Sequence, residues 1–266
     1  MKAQFKWPVR LHRTPCRYLW SLVLMGILGY SLLQITLAAL DHHTQNATME
    51  KAQQLYHTES PVNASIQLPD DSENSHPPPM FPGMAALQEI NSDVVAWITV
   101  PDTIIDYPVV QGEDNLQYLD RDWQGNSNRA GAIFMDYRND PKMLASPGKH
   151  TILYGHHMRD GSMFQPLIQF KDPEFIDANP VFYLNDLYEH HLYEIFSVYV
   201  TTTDFYYIET NFNSEADFTD FVQEIQDRSI HHYPVTLSES DHILTLSTCT
   251  YEYDDARMVI HARRIP

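Results

Sequence analysis

From Tyr18 to Leu40 the chain runs 23 residues without a formal charge, YLWSLVLMGILGYSLLQITLAAL. Wound as a helix at about 1.5 Å per residue, such a segment crosses a hydrocarbon core about 30 Å thick. It reads as a single transmembrane anchor, and everything beyond it must then fold on one side of a bilayer. Lys2, Lys6, Arg10, Arg13 and Arg17 precede it, and no Asp or Glu occurs before Asp41. The positive-inside rule therefore assigns 1–17 to a basic cytoplasmic tail, 18–40 to the anchor and 41–266 to the extracytoplasmic side, a single-pass protein of the cell membrane. A cleaved signal peptide fits less well, because its apolar region is usually about 7–15 residues and ends in a small-x-small site.

The same asymmetry bears on partners. The formal charge of −18 divides into +5 ahead of Asp41 and −23 from there on. A surface that acidic repels phosphate backbones, and no basic stripe interleaved with aromatics reverses this locally, so nucleic acid is excluded as a partner. Of the two cysteines, Cys16 falls in the tail, which leaves Cys249 alone in the exported part and rules out a disulfide within it. A lone thiol in an oxidising compartment is either buried and inert or kept for its chemistry.

Residues 41–83 are rich in Gln, Asn, Ser, His and Pro and end in Pro77-Pro78-Pro79 and Pro82-Gly83, the texture of an extracytoplasmic linker. From Met84 the chain becomes densely apolar, and Met84, Leu87 and Ile90 mark one face of a short helix opening a folded domain over 84–266. Strand-like runs follow at Val94 to Val100, Ile104 to Val110, Ala130 to Met135, His150 to Tyr154, Leu192 to Thr201, His242 to Cys249 and Arg257 to Ile265. Many short strands without regularly alternating helices predict a mainly β fold, an antiparallel barrel or sandwich. One helix is inserted late: Ser214 is a good N-cap, and Phe218, Phe221, Val222 and Ile225 form an i, i+3, i+4, i+7 stripe suited to core packing.

Strand alternation sets Leu244 and Leu246 on one face and Thr245, Ser247 and Cys249 on the other. In the next strand Met258, Ile260 and Ala262 oppose Arg257, Val259 and His261. If the two pair as a hairpin with apolar faces inward, Cys249 and Arg257 emerge together on the polar face near the loop. A guanidinium there favours thiolate over thiol and can hold the oxyanion of an acyl-transfer intermediate. The blander role for Arg257 is a surface pair with Asp254 or Asp255, worth about 0–1 kcal/mol. The adjacent pairs His156-His157, His190-His191 and His231-His232 lack the spacing that would put two ligands on one metal, so no metal is expected. His156 stands apart because it follows a strand ending in Tyr154-Gly155, a suitable place for a general acid or base.

TLSTC at Thr245 to Cys249, the following Arg257 and YGHHM at Tyr154 to Met158 together resemble the active-site signature of the sortases. NSDVVAWITV, IIDYPVVQG, DNLQYL, GAIFMD and the helix-bearing insertion at 211–230 resemble class B sortases in particular, over essentially all of 84–266. The resemblance implies a closed β-barrel, no cofactor, and a cysteine transpeptidase that cleaves a sorting motif near the C-terminus of secreted proteins. Cys249 would form the thioester, His156 would move the protons, and Arg257 with the backbone amide of Thr250, beside Thr248, would hold the oxyanion. Tyr154, Ser247, Tyr207, Ile208, Asn115 and Leu119 match positions that line the class B groove. The acceptor would be an amine of the cell wall or, in a pilus-polymerising enzyme, a pilin lysine. A thiol hydrolase would need the same three residues, and a non-enzymatic tethered binding module would need none of them.

Overall fold

A computed structural model describes residues 14–59, 79–144, 150–233, 235–238, 240–249 and 255–265. The chain divides into two compact units, Met1–Thr44 and Gln45–Pro266. Helix α1 spans Thr14–Glu59 and contains, at Trp20–Leu37, a window long and apolar enough to cross a membrane.

In the second unit eight strands close a barrel: β1 (Val94–Thr99), β2 (Asp106–Val110), β3 (Ile133–Met135), β4 (His150–Tyr154), β5 (Val181–Asn185), β6 (His190–Thr201), β7 (Ile243–Cys249) and β8 (Arg257–Ile265). Their order around the barrel is β1-β2-β3-β4-β7-β8-β6-β5, with β5 pairing back onto β1. The expectation of an antiparallel sheet needs one correction: β2–β3 and β4–β7 are parallel, each pair reached by a long crossover. The sequence pattern also passed over β5, a five-residue run between Pro180 and Asp186, although closure depends on it. Helix α2 (Pro82–Ile90) buries Met84 and Leu87 as its spacing predicts. Ile90 instead stays exposed, because the helix ends there with the Asn91 N–H on the Leu87 carbonyl. A 3₁₀ turn at Gln165–Lys171 and helix α3 (Pro173–Ala178) connect β4 to β5.

The linker expected over 41–83 is overturned at its start. Residues 45–59 are helical, and Met49, Ala52 and Tyr56 belong to the main core. Tyr56 stacks on the fully buried Trp97 of β1 at 4.1 Å between centroids, and its hydroxyl accepts from Asn185 Nδ2 at 2.8 Å. Polar composition concealed this, because only one residue in three or four along the segment faces the barrel. Tyr56→Ala should therefore lower the unfolding free energy by about 3 kcal/mol, the cost of truncating a buried aromatic. In urea titration a true linker position would shift it by no more than about 0.5 kcal/mol.

Helix α4 (Glu215–Asp227) sits in the β6–β7 connection, with the Ser214 hydroxyl accepting from the Asp217 N–H. Its Phe218, Val222 and Ile225 pack with Phe196, Tyr199, Tyr207, Ile243 and Val259 in a second core outside the barrel. The face of β7 and β8 expected to be polar is thus roofed over. Its buried polar groups satisfy one another: Tyr199 Oη meets His261 Nε2 at 2.7 Å, His261 Nδ1 meets Thr245 Oγ1 at 2.6 Å, and Thr245 Oγ1 meets His150 Nε2 at 2.6 Å. The chain ends where His150 Nδ1 meets the Glu209 carbonyl. Burial favours the neutral form of both imidazoles, and in neutral rings a carbonyl that can only accept fixes the direction of every hydrogen bond along the chain.

Candidate active site

Two pairings bring the site together. The parallel β4–β7 ladder sets Tyr154 opposite Ser247, and the Gly155 N–H donates to the Ser247 carbonyl at 3.2 Å. His156 is the next residue, so it leaves β4 beside the end of β7. The antiparallel β7–β8 hairpin sets Cys249 opposite Arg257, in keeping with the shared face that the alternation predicts. The Cys249 side chain and all of Thr250 lie outside the described residues, so position 249 is fixed by its backbone pairing alone.

At this junction lies a cavity of about 190 Å³ lined by Asn115, Leu119, Phe134, Tyr154, Gly155, His156, Ser247, Thr248 and Arg257. Seven of those nine were singled out from sequence as groove, oxyanion or catalytic residues: Asn115, Leu119, Tyr154, His156, Ser247, Thr248 and Arg257. Tyr207 stands behind the lining, its hydroxyl 2.8 Å from Ser247 Oγ. Ile208 is not among the lining residues: its side chain packs on the second core and its carbonyl accepts from Arg138.

His156 Nε2 lies 2.7 Å from the Leu119 carbonyl. A carbonyl only accepts, so in the neutral ring Nε2 carries the proton and Nδ1 is the basic nitrogen. The group that orients the imidazole is therefore a backbone oxygen, which no side-chain pattern in the sequence reveals. Gly131 makes this approach possible: at φ +63 a Cβ there would meet the Tyr118 and Leu119 carbonyls at 2.7 and 2.8 Å and the His156 ring at 3.1 Å. Gly155 is needed for close packing, since a Cβ would meet Ile133 and Phe164 at 2.5 and 2.8 Å.

Arg257 lines the cavity and at the same time pairs with Asp255 at 2.9 Å. Asp255 in turn accepts from the Thr203 hydroxyl and N–H. Arg263 is committed to Glu194 at 2.7 Å near the far end of β8. Among the described residues no cluster of three or more His, Cys, Asp or Glu is grouped as a metal would require.

A barrel with a strand-end cysteine, a facing arginine and a histidine on the adjacent strand end defines a class of cysteine acyl-transfer enzymes. Residues 98–265 match the Sortase domain family. The chain is 37% identical over 248 residues to sortase B of Listeria monocytogenes, covering 92% of this chain and 95% of that protein. It is 33% identical over 245 residues to sortase B of Staphylococcus aureus, covering 91% and 93%. Among solved structures, a sortase B-like protein of Bacillus anthracis superposes with a TM-score of 0.72 at 43% identity, over 84% of this chain and 96% of that one. A Staphylococcus aureus sortase B–substrate complex superposes with a TM-score of 0.73 at 32% identity, over 85% and 98%. The chain belongs to the sortase family of cysteine transpeptidases, in its class B.

Proposed function

We propose that this enzyme, held in the cell membrane by Tyr18–Leu40 with its barrel outside, cleaves a C-terminal sorting motif of secreted proteins and joins the new end to a cell-wall amine. The observation that carries the reading is the 190 Å³ cavity, which collects His156, Arg257, Thr248 and Ser247 at the end of β7, where Cys249 pairs with Arg257. In the first step the Cys249 thiolate attacks the scissile carbonyl. Arg257 and the Thr250 amide receive the oxyanion, the C–N bond breaks, and His156 gives its proton to the departing amine. In the second step His156 takes a proton from the incoming amine as it attacks the thioester. The C–S bond breaks and thiolate is regenerated. Splitting the reaction this way conserves the acyl bond energy for ligation.

The anchor is supported by the apolar window of α1 and by the five cations ahead of it. The sorting-motif substrate is supported by the likeness to a sortase B crystallised with its substrate.

The test incubates the full-length chain in detergent with a library of sorting-type peptides and an amine, reading products by mass spectrometry. Ligated products that need the amine are expected; cleavage products alone, whatever the amine, would make the enzyme a hydrolase. His156→Ala and Arg257→Ala should each lower kcat/KM by about 10²–10⁴-fold, the usual range for losing an acid–base or oxyanion group. Near wild-type turnover in either removes that residue from the mechanism.

A further inference from the structure

We propose that Asp136 is the positioning residue of the peptide cleft, its buried carboxylate holding Asn115 and Tyr154, and through Arg138 the Tyr206–Ile208 segment, in the arrangement that receives the peptide backbone. This rests on the catalytic reading above and deepens it.

Asp136 follows β3 directly and its side chain is fully enclosed. None of the chemical steps uses it. A buried carboxylate persists only where its lone pairs are filled, and here five donors fill them. Oδ1 accepts from the Arg138 N–H at 3.0 Å and from Arg138 Nε at 2.8 Å. Oδ2 accepts from Arg138 Nη2 at 2.7 Å, Asn115 Nδ2 at 3.0 Å and the Tyr154 hydroxyl at 2.9 Å. Burial alone would push the carboxyl up, but these donors, Arg138 foremost, outweigh it and hold it below the ordinary carboxylate range.

What the network holds is the cleft. Asn115 and Tyr154 both line the cavity, and Tyr154 stands two residues before His156. Arg138 extends outward, donating Nη1 to the Tyr206 hydroxyl at 2.8 Å and Nη2 to the Ile208 carbonyl at 3.0 Å, on either side of Tyr207. Gln111 Nε2 donates to the Asp136 carbonyl at 2.9 Å, tying down the start of the loop that carries Asn115. One carboxylate thus joins three stretches distant in sequence.

The chemistry of recognition follows from the committed atoms. Asn115 Oδ1 accepts from the Tyr137 N–H at 3.0 Å while one amide N–H is spent on Asp136. The amide is therefore fixed in orientation, and its second N–H is the donor Asn115 can offer a peptide carbonyl. Tyr154, its phenol pushed well up by burial and the facing carboxylate, spends its proton on Asp136 and presents a ring to the cleft. Replacing Asp136 by Asn keeps the volume but removes the charge, frees the Asn115 amide to turn over and releases the Tyr154 hydroxyl.

The test uses the full-length enzyme in detergent and a peptide that it cleaves. Asp136→Asn should raise KM at least about tenfold, with methanethiosulfonate labelling of Cys249 within about twofold of wild type, because uniform substrate binding is lost while the thiol is untouched. Tyr154→Phe should raise KM less, and the double variant should be no worse than Asp136→Asn alone, since both act through one hydrogen bond. An unchanged KM in folded Asp136→Asn overturns the proposal, as does an equal fall in turnover and labelling. If Asp136→Asn does not fold, unchanged KM in both Tyr154→Phe and Arg138→Lys overturns it equally. Transpeptidation surviving in Cys249→Ala would instead sink the catalytic reading itself, so the two failures are told apart.

Discussion

Cys249→Ala should abolish transpeptidation, lowering turnover by about 10⁴-fold or more, and should leave the unfolding transition near that of the parent chain. The magnitude follows from removing a covalent nucleophile: the thioester no longer forms, and only binding and the oxyanion donors act on the scissile bond. Cys249 ends β7 opposite Arg257, and the two-residue period of the strand puts it out of phase with Leu244 and Leu246, which belong to the main core. Deleting its sulfur should therefore leave the packing of both cores in place. Near-ultraviolet circular dichroism checks the fold, and peptide ligation read by mass spectrometry checks the activity. Ligation persisting at even a hundredth of the parent rate would mean that another group carries the acyl chain.

The second large effect is on stability. Burial, its largest cause, brings His150 down to about 4 from an ordinary 6.5, with the neighbouring His242 acting in the same direction and the Glu209 carbonyl and Asp136 opposing it. Burial likewise lowers His261 well below its ordinary value, with His150 adding to the shift. Between pH 6.5 and 4 the unfolded chain binds protons that the folded one refuses, so stability is complete above about 6.5 and falls as pH drops. For His150 alone, a shift from 6.5 to about 4 amounts to roughly 3 kcal/mol. His261 adds to this in the same direction. The depressed Asp136 acts in a separate window: its contribution is lost only when pH falls below the usual carboxylate range. Urea titrations from pH 7.5 to 4.5 should show the midpoint falling steeply, and Thr245→Val, which severs the chain at its centre, should lower stability at every pH. A flat profile over that range contradicts the assignment of both imidazoles as neutral.

Periodicity and alternation carried a good deal of this structure. That Cys249 and Arg257 share a face near the loop was legible because the side-chain period of a strand is two, so aligning the apolar faces of β7 and β8 puts both on the other side. Ser214 and the Phe218, Val222, Ile225 stripe were legible for the equivalent reason in a helix. What escaped were long-range partners with no local signature. The stacking of Tyr56 on Trp97, the Leu119 carbonyl on His156 and the closure of the barrel through β5 each join segments far apart in the chain. Asp136 sat inside the GAIFMD segment used for the family resemblance, yet its role depends on Asn115, Arg138 and Tyr154 converging, which spacing does not encode. Alternation placed Thr245 and His261 on the polar faces of β7 and β8 but did not show what covers them. In the folded chain those residues pair with one another beneath α4.

The central claim is that the Cys249 sulfur carries the acyl group between donor and acceptor, and intact-mass spectrometry tests it most directly. With a cleavable sorting peptide and no amine, the full-length enzyme should gain the mass of the peptide's N-terminal fragment, on the segment containing Cys249. Hydroxylamine or an added amine should discharge it. Peptide turnover with no mass gained at any time, or a gain that maps elsewhere and survives in Cys249→Ala, would contradict the account.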